Sequence, residues 1–517
     1  MNIEKEKEYL AERGASGVLS ESCGDYTLPD YNTDVKRILL IKARPVPSSM
    51  GFIDGDSAEF SGIVEYEVVY LDSENNLTSC AFTTDYELAM KTRGESAMGT
   101  DIRTGISGVS IRLTGPRRLS ARAQLVSDVH LTECDSLNID GDAITDVGAE
   151  VKTGEARIAY SIYSEPKERE YAEELARLDG VISDEVTLLS SDCVARVEDV
   201  EVEEGSCSLK GVMELSALVK PEGECAQCYK KQIPFTEKIE LNGLTDGKSV
   251  IPTVTVTSHK VSVDPTEDGV ILSCSVICES RVRALANATH SIPTDTFNRK
   301  RGTENEYEDF TYLEHIATRH HTSDLSGNVA VSEIGCENMR NAVYLTASPR
   351  LAEATARDGA VKISGDVRFS GISCQINEEG ELTYCGIKYD LPFEQNVKLD
   401  CHIPADTKVE CALVVSSFTC DANSDYAELG ARLDADITLL GKRKMKRLAS
   451  SSFNDEVFER EENAITVYYP TEDETLFDIA KRFHSSPIEI AADNSLTEEV
   501  FAEDGEIKNR PRKLIIR

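Results

Sequence analysis

The 517-residue chain contains no tryptophan, and only 6% of its residues are aromatic. Sugar-cleaving domains favour aromatic platforms against sugar faces, so this composition argues against one. No stretch of 18 or more apolar residues occurs, which leaves no candidate for a spanning helix and predicts no membrane insertion. The opening Met1-Asn2-Ile3-Glu4-Lys5-Glu6-Lys7-Glu8 lacks an apolar core and a small-residue cleavage site. The expectation is a chain without a secretory signal that stays in the cytoplasm.

Basic residues are also short in supply, with 55 Lys and Arg against 92 Asp and Glu and a net charge of -37. Such a field repels phosphate backbones and anionic headgroups, so no nucleic acid partner is expected. Catalytic signatures are missing as well. There is no Gly-x-Ser-x-Gly elbow and no His-Glu-x-x-His, and no carboxylate pair stands out among the acids. Gly243-Leu244-Thr245-Asp246-Gly247-Lys248-Ser249 is one residue short of a phosphate loop and runs into a strand-like Val250-Ile251-Pro252, so it reads as a turn. His315, His320 and His321 cluster without a zinc-ligand spacing, and Cys225-Ala226-Gln227-Cys228 has no second pair nearby. The reading is a non-enzyme with no cofactor and no metal site.

The 15 cysteines are odd in number and scattered from Cys23 to Cys420, which fits reduced, mostly buried thiols. A composition 40% hydrophobic and 28% charged is that of globular domains. At ~100–200 residues per domain the length suggests about three or four.

One pattern recurs three times: a residue pair closed by Gly, an alternating strand, a polar turn and a returning strand. The first copy runs Phe60-Ser61-Gly62 to Tyr70, turns over Asp72 to Asn76, and returns through Tyr86 to Met90. The second runs Leu209-Lys210-Gly211 to Leu215, turns at Pro221-Glu222-Gly223, and returns to Ile233-Pro234-Phe235. The third runs Ile363-Ser364-Gly365 to Phe369, turns at Asn377-Glu378-Glu379-Gly380, and returns through Tyr389 to Leu391-Pro392-Phe393. Tyr86 and Tyr389 stand at the same offset from Gly62 and Gly365. Each copy continues with a second strand pair: Val109–Leu113 with Leu119–Leu131, Val254–Val263 with Gly269–Val282, and Leu413–Cys420 with Leu429–Leu440. Period-two alternation marks half-buried antiparallel strands.

The fold class is therefore mainly β, with three β-sandwich-like repeats over 21–160, 175–293 and 306–440. Residues 1–20 read as a helical segment. Glu165–Leu178 and Thr294–Asn305 read as charged connectors, the first of them helix-compatible. Residues 441–462 read as a linker, basic and then acidic. Its Gly441-Lys442-Arg443-Lys444-Met445-Lys446-Arg447 is a solvated tether, with docking on the chain's own acidic repeats as the alternative. Exposed strand edges leave self-association open.

Residues 463–517 are organised differently. A strand Ile465–Tyr469 ends at Pro470; Leu476, Ile479, Ala480 and Phe483 then recur at helical spacing. Ser486-Pro487-Ile488-Glu489 has the form of a capping box opening a second helix toward Asn494, and Lys513–Ile516 closes as a strand.

This strand-helix-helix-strand span, with Asp473-Glu474-Thr475-Leu476-Phe477-Asp478-Ile479-Ala480-Lys481-Arg482-Phe483, resembles the LysM family. It departs where that family usually has Gly-Asp, here Asp473-Glu474, and in lacking a final proline. The resemblance implies a groove lined by Asp473, Glu474, Thr475, Leu476, Ile490, Asn494, Ser495 and Leu496, with Ile479 and Phe483 in the core. The segment Cys23-Gly24-Asp25-Tyr26-Thr27-Leu28-Pro29-Asp30-Tyr31-Asn32-Thr33-Asp34 and onward to Leu39 resembles the start of the SPOCS repeat family. Its own residues suggest a turn at Pro29 and a short helix capped by Asp30 or Thr33.

SPOCS repeats joined to a C-terminal LysM module are the architecture of clostridial spore coat morphogenetic proteins. The resemblance implies a scaffold in the mother-cell cytoplasm at the forespore surface, whose LysM module binds the basal-layer ATPase of the spore coat or another coat protein. Peptidoglycan, a polymer containing N-acetylglucosamine, is the alternative ligand.

Overall fold

A computed structural model describes residues 5–53, 57–91, 97–336, 339, 341–357, 359–376, 382–422, 425–459, 465–471, 474–496 and 512–517. The chain is mainly β, and its described residues form two short α-helices, both near the C-terminus.

The first unit holds β1 (Glu6–Thr27), β2 (Val35–Ile53), β3 (Ser57–Asp72), β4 (Leu77–Lys91), β5 (Ala97–Gly115) and β6 (Arg118–Asn138), in sheets ordered β2-β3-β4 and β1-β6-β5. The second holds β7 (Ala149–Tyr163), β8 (Lys167–Asp179), β9 (Val186–Glu203), β10 (Ser206–Pro221), β11 (Gln227–Glu240), β12 (Ser249–Pro265) and β13 (Gly269–Asn298). Its sheets are β9-β10-β11 and one in which β13 pairs β12 on one edge and β8, then β7, on the other. The third holds β14 (Arg301–Ala330), β15 (Asn341–Arg357), β16 (Ala360–Ile376), β17 (Leu382–Lys398), β18 (Thr407–Ala422) and β19 (Tyr426–Val457), in sheets β15-β16-β17 and β14-β19-β18.

The two sheets of each unit share one core. In the first, Tyr66 and Phe82 of the β2-β3-β4 sheet stack at 5.0 Å, Tyr26 of β1 covers Phe82 at 4.5 Å, and Leu119 and Leu125 of β6 complete the contact. Alternation along β3 buries Phe60, Val64, Tyr66 and Val68 on one face. Near its end Val68, Val69, Tyr70 and Leu71 are all buried, the two-sided pattern of a strand covered on both faces. The second cover comes from the other units. Val69, Leu218 and Ile372, at one offset from Gly62, Gly211 and Gly365, join a single apolar cluster in which all three units meet.

The repeated glycines have a common cause. Gly62, Gly211 and Gly365 lie opposite Tyr86, Phe235 and Phe393. A Cβ at any of them would approach the carbonyl oxygen of Val46, Arg196 or Arg350 closer than 3.0 Å and meet the facing ring. Only glycine lets the aromatic ring lie across the backbone there. The equal spacing of Tyr86 and Tyr389 is thus not an equivalence: Tyr389 pairs with Phe369, and Phe393 takes the place of Tyr86. The strands of the third hairpin pair further, from Gly365↔Phe393 out to Ile376↔Leu382, two residue pairs more than from Gly62↔Tyr86 out to Leu71↔Leu77, and this shifts the count. Its expected turn, Asn377-Glu378-Glu379-Gly380, lies outside the described residues.

Several segments differ from their sequence reading. Residues 6–20, expected to be helical, belong to β1, which pairs with β6 from Glu6↔Asn138 to Thr27↔Arg118. Residues 29–34 turn, but no helix follows, since β2 starts at Val35. Glu165–Leu178 falls mostly in β8, an edge strand on β13; the break before it coincides with Pro166. Thr294–Asn305 spans the end of β13 and the start of β14. Charged stretches with helical propensity take strand geometry because a long neighbouring strand supplies their backbone partners.

The basic run 441–447 is no solvated tether. It continues β19 against β14, where Arg443 meets Glu314 at 2.7 Å, Lys444 meets Asp309 at 3.7 Å and Arg447 pairs with Glu308. The chain's own acidic strand neutralises it. Cysteines are not uniformly reduced either: Cys336, just beyond β14, and Cys385 of β17 form a disulfide with a Cα separation of 5.7 Å.

Beyond the sandwiches, β6, β13 and β19 run on, each paired with the first half of β1 or β14 or with β7. The three ribbons share a core of Tyr9, Leu137, Ile158, Ile292 and Phe310.

Candidate functional site

The C-terminal residues form β20 (Thr466–Tyr468), α1 (Leu476–Phe483), α2 (Pro487–Asp493) and β21 (Leu514–Ile516), with β20 and β21 antiparallel. Thr475 caps α1: its Oγ1 accepts from the Asp478 backbone N–H at 3.2 Å, while Asp478 accepts from the Thr475 N–H at 3.1 Å. This reciprocal pair is the capping box of the module. At Ser486 none forms, because its side chain makes no cap bond and Glu489 lies 3.4 Å from Arg299.

The residues expected to line a groove are largely committed to the module itself. Glu474 accepts from the Tyr468 hydroxyl at 2.7 Å and the Thr471 N–H at 3.0 Å and pairs with Arg482 at 2.7 Å. The Thr471 N–H, with Tyr468 and Arg482, holds its carboxyl below the usual range despite the opposing effect of desolvation. Thr475 is the buried cap, and Leu476 and Ile490 are core residues 3% and 1% exposed. Asn494 donates to the carbonyls of Ile490 at 2.8 Å and Ile515 at 2.6 Å and accepts from the Ile515 N–H at 2.7 Å. It ties α2 to β21. Leu496 is half-buried against the core, with its N–H on the Ala491 carbonyl at 2.9 Å. Ser495 is exposed and left-handed at φ 53°. Asp473 lies outside the described residues.

Solvent instead meets a different face. Ile465, Val467 and Tyr469 alternate through β20 and its borders at 63%, 50% and 68% exposure, and Ile515 stands opposite Val467. The helical face is covered by the rest of the protein: Phe297 of β13 packs edge-on against Phe477 at 5.2 Å within the module's core. Lys481 reaches Asp295 at 2.7 Å, and Phe458 stacks on His484. Sequence reasoning placed Asp295 and Phe297 in a connector, and no local pattern marks them as a docking point.

A second cluster, missed altogether, lies where the three units join. Arg283 of β13 donates to Glu12 of β1 at 3.1 Å and to Glu410 of β18 at 3.2 Å. His130 Nδ1 of β6 lies 3.4 Å from Glu410, and Lys408 reaches Glu410 at 3.0 Å. Burial pushes the Glu12 carboxyl up to about 7, although Arg283 opposes this. Burial and then Arg283 push His130 down to about 3. At Glu410 burial is outweighed by His130, Arg283 and Lys408, and the carboxyl falls to about 2. One guanidinium thus serves two carboxylates, and Glu410 has His130 and Lys408 beside it as well. At 2–4% exposure Glu12, His130 and Arg283 are closed to a substrate, so the cluster is an internal junction.

The three clustered histidines do not converge: His315 bonds Thr318 at 3.0 Å and His320 bonds Asp436 at 2.8 Å. Among the described residues no group of three His, Cys, Asp or Glu side chains is placed to hold a metal ion. No described helix is long and apolar enough to cross a membrane. Gly243–Lys248 is the turn between β11 and β12. No protein-family model matches the chain, and no curated protein matches it.

Proposed function

We propose that this chain is a non-enzymatic scaffold of bacterial endospore coat assembly, built of three SPOCS-like repeats and a LysM-like module that docks a coat morphogenetic partner. The partner implied by the resemblance is the basal-layer ATPase of the coat, met in the mother-cell cytoplasm at the forespore surface. The observation that carries this reading is the division of the C-terminal module. Its groove residues Glu474, Thr475 and Asn494 are consumed by internal hydrogen bonds, while Ile465, Val467 and Tyr469 present an apolar strand face to solvent. Contiguous exposed apolar residues suit a protein partner better than a neutral glycan. The carboxylates at 473 and 474 in place of the usual Gly-Asp agree with this choice.

The alternative is a peptidoglycan-binding protein, and the exposed Tyr469 favours it as a platform for a sugar ring. Binding of the purified 517-residue chain to purified basal-layer ATPase and to purified peptidoglycan separates the two. Saturable ATPase binding that Val467→Asp weakens about tenfold or more supports the scaffold. Retention on peptidoglycan without ATPase binding overturns it.

A further inference from the structure

The motif Cys225-Ala226-Gln227-Cys228 lies at the tip between β10 and β11, and the tip is pressed against the third unit. Ala226 is 3% exposed, and its N–H donates to the Tyr384 hydroxyl at 3.0 Å. Tyr384 is the cross-strand partner of Cys374 on β16. That anchor brings the sulfurs of Cys225 and Cys374 to 3.9 Å, across 149 residues of sequence. Cys225 is exposed and Cys374 is half-buried, so one thiol of the pair is open to reagents and the other is sheltered. The flanking Ala226 and Ile372 belong to the apolar cluster shared by all three units. We propose that Cys225 and Cys374 form a reversible redox site whose disulfide locks the second unit to the third at this shared core.

A low-molecular-weight disulfide is the oxidant. The Cys225 thiolate attacks one of its sulfurs and expels one small thiolate, leaving a mixed disulfide on Cys225. The Cys374 sulfur, deprotonated, then attacks Cys225 Sγ and expels the second small thiolate. Two protein thiols become one disulfide, and the two electrons and two protons leave with the small thiols. The order follows from the environment: burial and the neighbouring Cys225 sulfur push the Cys374 thiol up to about 11, so the exposed partner reacts first. The sulfurs stand 3.9 Å apart and close to a bonding distance of ~2.05 Å when the disulfide forms. The closed bond spans a long loop, so it restricts the unfolded chain.

The test treats the 517-residue chain with oxidised glutathione and maps disulfides by mass spectrometry of non-reduced peptides. The expected result is a Cys225–Cys374 linked peptide that dithiothreitol abolishes, that Cys225→Ser prevents and that Cys228→Ser leaves intact. The oxidised protein is also expected to melt at a higher temperature than the reduced one, a shift absent in Cys225→Ser. A Cys225–Cys228 bond in its place, or glutathione retained on Cys225 with Cys374 free, overturns the pairing. An unchanged melting midpoint in cross-linked protein overturns the lock.

Discussion

Arg283 and Glu12 are 271 residues apart in sequence, and they meet at 3.1 Å inside the junction of the three units. Each is less than 4% exposed, and Glu410 of the third unit shares the same guanidinium. Removing the cation deprives buried Glu12 and Glu410 of the partner they share. Arg283→Met is expected to cost about 3–5 kcal/mol, read as a lower denaturant midpoint. Adding Glu12→Gln and Glu410→Gln recovers much of that loss, because no buried carboxylate is then left without its guanidinium, and Lys408 is partly exposed to solvent.

The same cluster sets a pH profile. His130 is held neutral down to about 3 against an ordinary 6.5, so its stabilisation is lost as pH falls below 6.5. Glu12, raised to about 7 from 4.5, acts in the opposite sense and stabilises as pH falls from 7 to 4.5. Glu410, lowered to about 2, loses its stabilisation as pH falls below 4.5. The two effects between 6.5 and 4.5 offset each other, and below 4.5 His130 and Glu410 act together. Thermal midpoints are expected to change little down to about pH 4.5 and then drop steeply. Glu12→Gln removes the offset, and its decline begins near pH 6.5.

At Gly211 a Cβ would meet the Arg196 carbonyl and the Phe235 ring closer than 3.0 Å. Gly211→Ala is expected to destabilise by about 1–3 kcal/mol, as forced strand displacement does. Gly62→Ala and Gly365→Ala behave alike. Gly105 has open space around its Cβ position and no positive φ, so Gly105→Ala stays within about 0.5 kcal/mol. Equal effects at Gly105 and Gly211 in thermal denaturation would contradict the close-approach account.

Phe297 is 3% exposed and lies in the core of the C-terminal module, whereas Asp295 and Lys481 are only partly buried. Phe297→Ala is expected to weaken docking by about 3 kcal/mol, and Asp295→Asn by about 1 kcal/mol or less. Amide hydrogen exchange over Leu476–Phe483 should accelerate strongly in the first variant and weakly in the second.

Much of the local structure was legible in the residues themselves. Alternation of apolar and polar side chains marked the hairpin strands, and the pairs read as Val109–Leu113 with Leu119–Leu131 and Leu413–Cys420 with Leu429–Leu440 are antiparallel neighbours. The helical spacing of Leu476, Ile479 and Ala480 and the Pro487 start marked α1 and α2. Those signals are carried by neighbours a few residues apart. Segments 6–20, 165–178 and 441–457 misled because their charge patterns suit a helix or a tether, and only a distant strand supplies the partner that fixes them. Glu474 and Asn494 stand where the groove resemblance placed them in sequence, but hydrogen bonds to Tyr468, Ile490 and Ile515 turn them inward. Composition, repeats and hairpins were therefore determined locally. The meeting of Glu12, His130, Arg283 and Glu410, and of Cys225 with Cys374, was decided by packing three units around shared cores, because contacts between residues so far apart leave no periodic trace in the chain.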